Sequence, residues 1–387
     1  MATAMVATAQ AVPTKKTHDS SDYKEVLFGG PKTFDEEAET KGTDKQPPAR
    51  YPNYLPVWDK ETFYPPLTPF KHYEHGKDAD DSLKNLLGPD AVVDDHTATI
   101  GADVTGVQLS QLNDAGKDEL ARFVAHKKVV GKSLFNPRFT PHHPRSFRNQ
   151  DFADLPIEQA VEFVRYFGRL HIHPTSGAPK GFPEVHLVHR GAHDTTAKDF
   201  FETRTNSVTW HSDVTYEQQP PGTTFLYLLD GPASGGDTLF LNQVEAYNRL
   251  SPEFQKRLLG LKAVHSGKEQ ARNSANRDST VRREPVDSVH PVIRTHPVTG
   301  ERALYVNPQF TRSIVGFKKE ESDYLLKFLY DHMAFSQDLQ TRVRWSHGTV
   351  VVWDNRVTAH SAILDWHNGA RRHLARLTPQ AERPVER

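Results

Sequence analysis

Short strand-like runs of four to seven residues constrain the fold more than any other feature of the chain. They are rich in β-branched, aromatic and leucine residues and read TTFLYLL (223–229), DTLFL (237–241), ALYV (303–306), TVVVW (349–353) and HLARLT (373–378). Turn signals such as DGPASGGD separate some of them. Short, separated strands favour a β-sandwich or barrel over a doubly wound sheet. We therefore predict a mainly β fold with flanking helices.

Four amphipathic helices are expected around these strands. Asn113 or Asp114 is a candidate cap for the first helix, and a buried stripe from Ile157 to Phe167 marks the second. Ser251–Pro252 has the pattern of a cap followed by proline in the first turn, and residues 318–333 form the fourth helix.

The remaining segments divide the chain. Residues 1–50 are polar with few aromatics and are expected to be a disordered tail, because they cannot bury enough apolar surface. Residues 51–91, rich in proline and aromatics, are expected to form an irregular extension against the main domain. The folded domain is then 92–387.

Charge and composition exclude several classes of protein. With 48 basic and 49 acidic residues the net charge is -1, and no basic run stands out, which argues against a nucleic-acid partner. No apolar run approaches the roughly 20 residues of a membrane span, and the first ten residues lack the basic flank of a secretory signal. A cytoplasmic enzyme is expected, and a homo-oligomer is left open. The chain has no cysteine, so any metal must be held by His, Asp or Glu.

His211 and Asp213 stand two residues apart in WHSDVTYE. On a strand, residues i and i+2 share a face, so the imidazole and the carboxylate would converge. They would form two-thirds of the 2-His-1-carboxylate triad of non-haem iron(II). Alone the signal is weak, because composition predicts about 2.7 His-x-acid pairs by chance and the chain has two, the other being His72 to Glu74. A structural pair is the alternative.

Two downstream segments strengthen the interpretation. His360 follows the apolar run TVVVW and a polar turn, where a neighbouring strand could return it to complete the triad. A loop histidine is the alternative. In the run GARRHLARLT, Arg372 and Arg376 share one face of an extended strand. Two inward guanidinium groups are costly unless they meet anions such as carboxylates or sulfonates. A solvated strand edge is the alternative.

Together these segments resemble the taurine dioxygenase family of 2-oxoglutarate-dependent oxygenases, with the greatest likeness to its fungal alkylsulfonate dioxygenases. The matching stretches are FGRLHIHP, WHSDVTYEQQPPGTTFLYLLDGPASGGDTLF, ALYVNPQFTRSIVGF, VVVWDNRVTAHSA and RRHLARLT. They occur in family order over roughly residues 92–380. The resemblance implies a double-stranded β-helix, that is, a jelly-roll core.

By motif position, the resemblance implies that His211, Asp213 and His360 are the catalytic ligands of iron(II). Thr238 and Arg372 match the pair that binds the distal carboxylate of 2-oxoglutarate. The implied reaction uses 2-oxoglutarate and O2 as co-substrates. It hydroxylates an organosulfonate next to sulfur and yields aldehyde and sulfite with succinate and CO2.

The resemblance also implies a pocket for a small anionic substrate. His173 matches the histidine that contacts the sulfonate, and Arg376 matches its cationic partner. The backbone at Val214 and the ring of Phe310 would line the same pocket.

Three departures from the family pattern bear on these expectations. Ser176 and Ser207 stand where taurine-specific members carry tyrosine and asparagine, so an alkylsulfonate without an amine, or another acid, becomes more plausible. Residues 131–146 interrupt a strand that is continuous in the family. They are either a genuine surface loop or a translated intron, since Gly-Lys-Ser can be encoded by a sequence containing an intron start.

Other functions stay open at this point. The same chemistry could act on a sulfate ester, an aryloxy acid or an oxidised purine. A non-oxidative cupin-type metal enzyme would have no use for Arg372 and Thr238, and a catalytically silent binding barrel would not need all three metal positions.

Overall fold

The computed structural model describes residues 34–44, 46–130, 150–191, 194–277, 279–366 and 370–387. Its helices are α1 (Glu36–Lys41), α2 (Asp114–Lys127), α3 (Ile157–Arg165), α4 (Thr196–Thr203), α5 (Gln243–Asn248), α6 (Pro252–Leu258), α7 (Lys268–Asn276) and α8 (Lys319–Phe335). The insertion at 131–146 and the first 33 residues of the predicted tail lie outside the described residues.

The strands are short, as the sequence predicts. They are β1 (Val92–Asp95), β2 (Ala102–Thr105), β3 (Val129–Val130), β4 (His186–Arg190), β5 (Thr223–Asp230), β6 (Thr238–Asn242), β7 (Lys262–Ser266), β8 (Asp287–Pro291), β9 (Ile293–Thr295), β10 (Arg302–Leu304), β11 (Thr311–Ile314), β12 (Gln340–Val343), β13 (Val350–Asp354), β14 (Thr358–Ala362) and β15 (Arg372–Leu377). All five predicted strands are present, with bounds shifted by no more than two residues.

Two facing sheets form the core of the fold. A seven-stranded sheet has the order β1-β2-β3-β13-β5-β15-β4, and a three-stranded sheet has the order β12-β6-β14. Between them lies an apolar cluster to which Leu226, Val351 and Leu374 contribute from the larger sheet and Phe240 and Val343 from the smaller one. The prediction of a mainly β fold with flanking helices and a double-stranded β-helix core is confirmed.

Strand β5 shows how the sequence specifies this architecture. Its first seven residues are all buried, because alternate side chains enter two different cores. Leu226 and Leu228 face the three-stranded sheet. Phe225, Tyr227 and Leu229 belong to the cluster that also contains the apolar faces of α2 and α3. A strand buried on both sides therefore reads as a continuous apolar run.

The predicted helix starts are also confirmed. The side chain of Asn113 accepts a hydrogen bond from the backbone N–H of Gly116 at 2.8 Å, which caps α2. Ser251 caps α6 by accepting from the backbone N–H of Phe254 at 3.3 Å. Within the described parts of the chain, no helix is both long and apolar enough to cross a bilayer.

Part of the predicted tail, residues 34–44 and 46–50, is described by the structure and contacts the main domain. Asp35 caps α1, and Ala38 and Glu39 are buried. The Glu39 carboxylate pairs with the buried guanidinium of Arg371, which also lies 3.0 Å from Asp230. A buried ion pair thus fastens a polar segment that could not fold by apolar burial alone.

The extension at 51–91 contains two short 3-10 helices, at Pro52–Tyr54 and His75–Lys77. Tyr54 is fully buried, and its hydroxyl lies 3.1 Å from that of Tyr227. The backbone of Val57 pairs with that of Ala178, which brings Trp58 against the main domain.

We expect Glu39→Gln to lower the free energy of unfolding by about 3 kcal/mol, because it leaves the buried charge of Arg371 partly uncompensated. Urea denaturation would measure this change. The matched control is Glu37→Gln on the same helix, where the side chain is 76% exposed and the change should stay within about 0.5 kcal/mol. Equal stability of the two variants would contradict the anchoring role of Glu39.

Candidate metal centre and substrate pocket

His211, Asp213 and His360 meet at one point of the barrel. Oδ1 of Asp213 lies 3.7 Å from Nε2 of His211 and 3.6 Å from Nε2 of His360. Candidate ligand atoms of all three residues lie within 4.8 Å of one another. A metal ion with bonds of roughly 2 Å could therefore contact all three.

Backbone pairing brings the two histidines together. The N–H of His211 donates to the carbonyl of His360 at 3.0 Å, and the N–H of His360 donates back at 2.7 Å. His360 lies on β14, where its ring packs 5.8 Å from that of Phe240 and 5.1 Å from that of Trp353. The imidazole centroids of His211 and His360 are 4.2 Å apart.

The protonation state of both imidazole rings suits metal ligation. Nδ1 of His211 lies 3.0 Å from the carbonyl of Thr209, which can only accept, so Nδ1 carries the hydrogen and Nε2 presents its lone pair. Burial lowers the pKa of His211, and it lowers the pKa of His360 well below its usual value. Both imidazoles are therefore neutral near pH 7.

Asp213 lies in a turn and not on a regular strand, so the strand rationale for its convergence with His211 is wrong in detail. The backbone N–H of Asp213 donates to the side chain of Asn355 at 2.7 Å, and Asn355 donates to the carbonyl of Asp213 at 3.1 Å. Val214 then adopts a φ of 40°, an unusual conformation for a β-branched residue. These contacts, and not a regular strand, bring the carboxylate beside the two imidazoles.

The donor set fits an iron(II) ion. Two neutral imidazoles and one carboxylate form the facial triad of non-haem iron enzymes. Oδ2 of Asp213 is buried and has no hydrogen-bond partner among the described residues. A buried carboxylate oxygen without a partner is costly, and a bound cation would satisfy it.

A second cluster of potential ligands is less suited to a metal. His72, Glu74 and Glu382 also lie within 4.8 Å of one another. Both carboxylates, however, already pair with the buried guanidinium of Arg356, and Glu382 also pairs with that of Arg294.

The triad opens onto a pocket of about 990 Å³, measured with its mouth. The structure brings all nine predicted site residues to its wall: His173, His211, Asp213, Val214, Thr238, Phe310, His360, Arg372 and Arg376. The pocket wall also includes residues that the sequence analysis missed, among them Trp58, His186 and Arg190.

One end of the pocket is built around Arg372. Its Nε donates to the carbonyl of Gly236 at 2.7 Å, and one terminal nitrogen lies 3.5 Å from the hydroxyl of Thr238. Burial lowers the pKa of Arg372 to about 10, so the guanidinium is still charged at neutral pH. Within the described residues no ion pair joins Arg372 to a carboxylate. A buried guanidinium in this state is suited to bind an anion.

The other end of the pocket combines a cation with two histidines. Arg376 donates to Oδ1 of Asp213 at 2.7 Å and to Nδ1 of His186 at 2.6 Å. The rings of His173 and His186 are 4.2 Å apart. Phe310 and Val214 belong to a small apolar cluster, in which the ring of Phe310 lies 6.2 Å from that of His211.

The two serines that depart from the pattern of taurine-specific relatives lie in different places. Ser176 lines the pocket near His173, and its carbonyl accepts from Arg282 at 2.6 Å. Ser207 is not among the lining residues, and its hydroxyl accepts from the backbone N–H of Leu364 at 3.2 Å.

Comparisons with known proteins agree with this architecture. The model of the taurine catabolism dioxygenase TauD, TfdA family matches residues 139–378. An alpha-ketoglutarate-dependent sulfonate dioxygenase of Saccharomyces cerevisiae is 44% identical over 342 residues, which cover 87% of this chain and 79% of the relative. An alpha-ketoglutarate-dependent sulfate ester dioxygenase of Pseudomonas putida is 32% identical over 301 residues, covering 74% and 88%. The crystal structure of a taurine dioxygenase from Burkholderia xenovorans has a TM-score of 0.60 at 30% identity, covering 77% and 91%.

We expect Asn355→Ala to weaken metal binding about tenfold or more, because residues that orient a ligand typically contribute 10- to 100-fold to affinity. Anaerobic calorimetric titration with Mn²⁺ would measure the dissociation constant. Asn248→Ala, at an exposed position on α5, is the control and should bind as the wild type does. An unchanged affinity for Mn²⁺ in a folded Asn355→Ala protein would show that the hydrogen bonds of Asn355 do not position Asp213.

Proposed function

The chain belongs to the taurine catabolism dioxygenase TauD/TfdA family, and from this membership we propose that it is a 2-oxoglutarate-dependent dioxygenase of organosulfonates. The reaction hydroxylates the carbon next to sulfur. The adduct then collapses to an aldehyde and sulfite, while 2-oxoglutarate and O2 are converted to succinate and CO2. The observation that carries this proposal is the placement of two buried arginines of one strand, Arg372 and Arg376, at two ends of a pocket that contains the triad.

His211, Asp213 and His360 are the residues proposed to hold iron(II). The ion, when bound, supplies the oxidation chemistry and leaves positions open for 2-oxoglutarate and O2. The protein's part is to keep both imidazoles neutral and to fix the carboxylate in its turn. Oδ2 of Asp213 has no hydrogen-bond partner among the described residues, and Nδ1 of His211 donates to the carbonyl of Thr209; both observations support this assignment.

Arg372 and Thr238 are proposed to bind the distal carboxylate of 2-oxoglutarate. A planar guanidinium can bind a carboxylate through two parallel hydrogen bonds. The hydroxyl of Thr238 already accepts from the indole of Trp345 at 3.1 Å, so its own hydrogen is available to a carboxylate oxygen. The carbonyl of Gly236 and the face of Trp366 hold the guanidinium in place.

Arg376 and His173 are proposed to bind the sulfonate. This end of the pocket is cationic and buried, so an anion entering it exchanges water for charge-assisted hydrogen bonds. Val214 and Phe310 supply an apolar wall for the carbon chain. The organic group next to sulfur would then lie beside the triad, which is what hydroxylation at that carbon requires.

A sulfate ester is the second candidate substrate. The similarity to the sulfate ester dioxygenase of Pseudomonas putida supports it, because a sulfate ester presents the same three oxygens as a sulfonate. Screening for released sulfite against released sulfate would separate the two substrate classes.

We expect Arg372→Ala to raise the KM for 2-oxoglutarate by about a hundredfold, because loss of one hydrogen-bonded charge pair costs roughly 2–5 kcal/mol. Succinate formation under iron(II) and ascorbate, with an alkanesulfonate as substrate, measures this. Arg257→Ala on α6, where the side chain is 71% exposed, should leave the KM unchanged. A wild-type KM in the Arg372→Ala variant would contradict the assignment, and wild-type enzyme that forms no succinate with any acid would contradict the proposed function.

We expect short alkanesulfonates without an amine to be used at least about tenfold better than taurine, in kcat/KM. The reason is that Ser176 offers a shorter side chain than the tyrosine of taurine-specific relatives, so an ammonium group would be buried with fewer partners. Sulfite release across a chain-length series measures the ratio. A preference for taurine would contradict this reading of the pocket.

A further inference from the structure

Strand β4 mirrors the arginine strand β15 across the sheet. In their antiparallel register, His186 lies opposite Arg376, Val188 opposite Leu374 and Arg190 opposite Arg372. Because alternate residues of a strand share a face, the three β4 residues point to the same side as the two arginines. His186, Val188 and Arg190 all line the pocket. His186 thus belongs to the sulfonate end by register.

His186 contacts both residues already placed at that end. A terminal nitrogen of Arg376 lies 2.6 Å from Nδ1 of His186 and 3.5 Å from its Nε2, so the short hydrogen bond is the one to Nδ1. The rings of His186 and His173 lie 4.2 Å apart. Arg376 uses its other terminal nitrogen on Asp213. Its Nε is buried and has no hydrogen-bond partner among the described residues, and the whole residue is only 7% exposed.

The hydrogen-bond pattern fixes where the two imidazoles carry their hydrogens. A guanidinium has only donors, so Nδ1 of His186 accepts and the hydrogen of the neutral ring is on Nε2. Nδ1 of His173 accepts from the backbone N–H of Thr175 at 3.2 Å, so its hydrogen is also on Nε2. Burial first, and then the charge of Arg376, lower the pKa of both histidines well below the usual value, which keeps both rings neutral.

We propose that His186 is a specificity-determining residue that selects a tetrahedral sulfonate: it holds Arg376 through Nδ1 and donates from Nε2 to a sulfonate oxygen. This inference rests on the proposed function. Nε of Arg376, Nε2 of His173 and Nε2 of His186 are three N–H donors on three side chains. A sulfonate has three diverging oxygens and can receive one hydrogen bond from each. A carboxylate has two oxygens in one plane and matches the set less well.

The test replaces His186 and compares the two anion shapes. His186→Phe keeps a ring beside His173 but removes both nitrogens. We expect it to raise the KM for pentanesulfonate about 10- to 100-fold, the range for one hydrogen bond to a charged group. The inhibition constant of hexanoate, a carboxylate of matched chain length, should rise by a clearly smaller factor, because a carboxylate loses the support of Arg376 but no donor of its own. The KM for 2-oxoglutarate should not change, since Arg372 lies at the other end of the pocket.

Two conservative variants separate the two parts of the role. Asn at position 186 can place an amide oxygen near Nδ1 and so hold Arg376, whereas Gln can place an amide N–H near Nε2 and so donate to the substrate. We expect His186→Asn and His186→Gln each to recover part of the loss. His347→Phe, at an exposed histidine, is the matched control and should behave as the wild type.

Three results would overturn the inference. The first is a wild-type KM for pentanesulfonate in His186→Phe. The second is an equal loss of affinity for pentanesulfonate and hexanoate. The third, which applies even if His186→Phe fails to fold, is wild-type sulfonate kinetics in both the Asn and the Gln variants. Failure of the wild-type enzyme to release sulfite from any sulfonate is a different outcome, because it contradicts the proposed function itself.

Discussion

The reciprocal backbone hydrogen bonds between His211 and His360 are the contact on which the rest of the site depends. They join the segment that follows Trp210 to strand β14 of the smaller sheet. With the two histidines paired in this way, both imidazoles stand side by side, and the turn at Asp213 brings the carboxylate to them. The hydrogen bonds from and to Asn355 hold that turn. The convergence of the three candidate metal ligands is therefore a consequence of how these segments pair.

Charge distribution then decides what the pocket can accept. Two buried guanidinium groups lie four residues apart on β15, and burial lowers the pKa of His173 and His360 well below its usual value. Buried cations without equal numbers of carboxylates are unfavourable unless anions join them. The proposed function assigns a different acid to each arginine, a co-substrate to Arg372 and a substrate to Arg376. Pairing of β15 with β5 and β4 keeps both arginines in place despite the unfavourable free energy of burying their charge.

Much of this was predictable from local pattern, and the remainder depends on distant contacts. β5 and β13 are buried on both faces, so their sequences are continuous apolar runs that are easy to recognise. Glu39 lies in a polar segment, and only the position of Arg371 in the fold explains its burial. His186 is one of 21 histidines, and its five-residue strand HLVHR is too short to stand out. Its alternation of His186, Val188 and Arg190 is the signal that could have revealed it.

Anomalous diffraction from a crystal grown anaerobically with Mn²⁺ and 2-oxoglutarate would test the metal centre most directly. The arrangement predicts one manganese peak bound by Nε2 of His211, Nε2 of His360 and a carboxylate oxygen of Asp213. It also predicts that the distal carboxylate of 2-oxoglutarate contacts Arg372. A peak outside this triad, or a distal carboxylate bound at Arg376 instead, would contradict it.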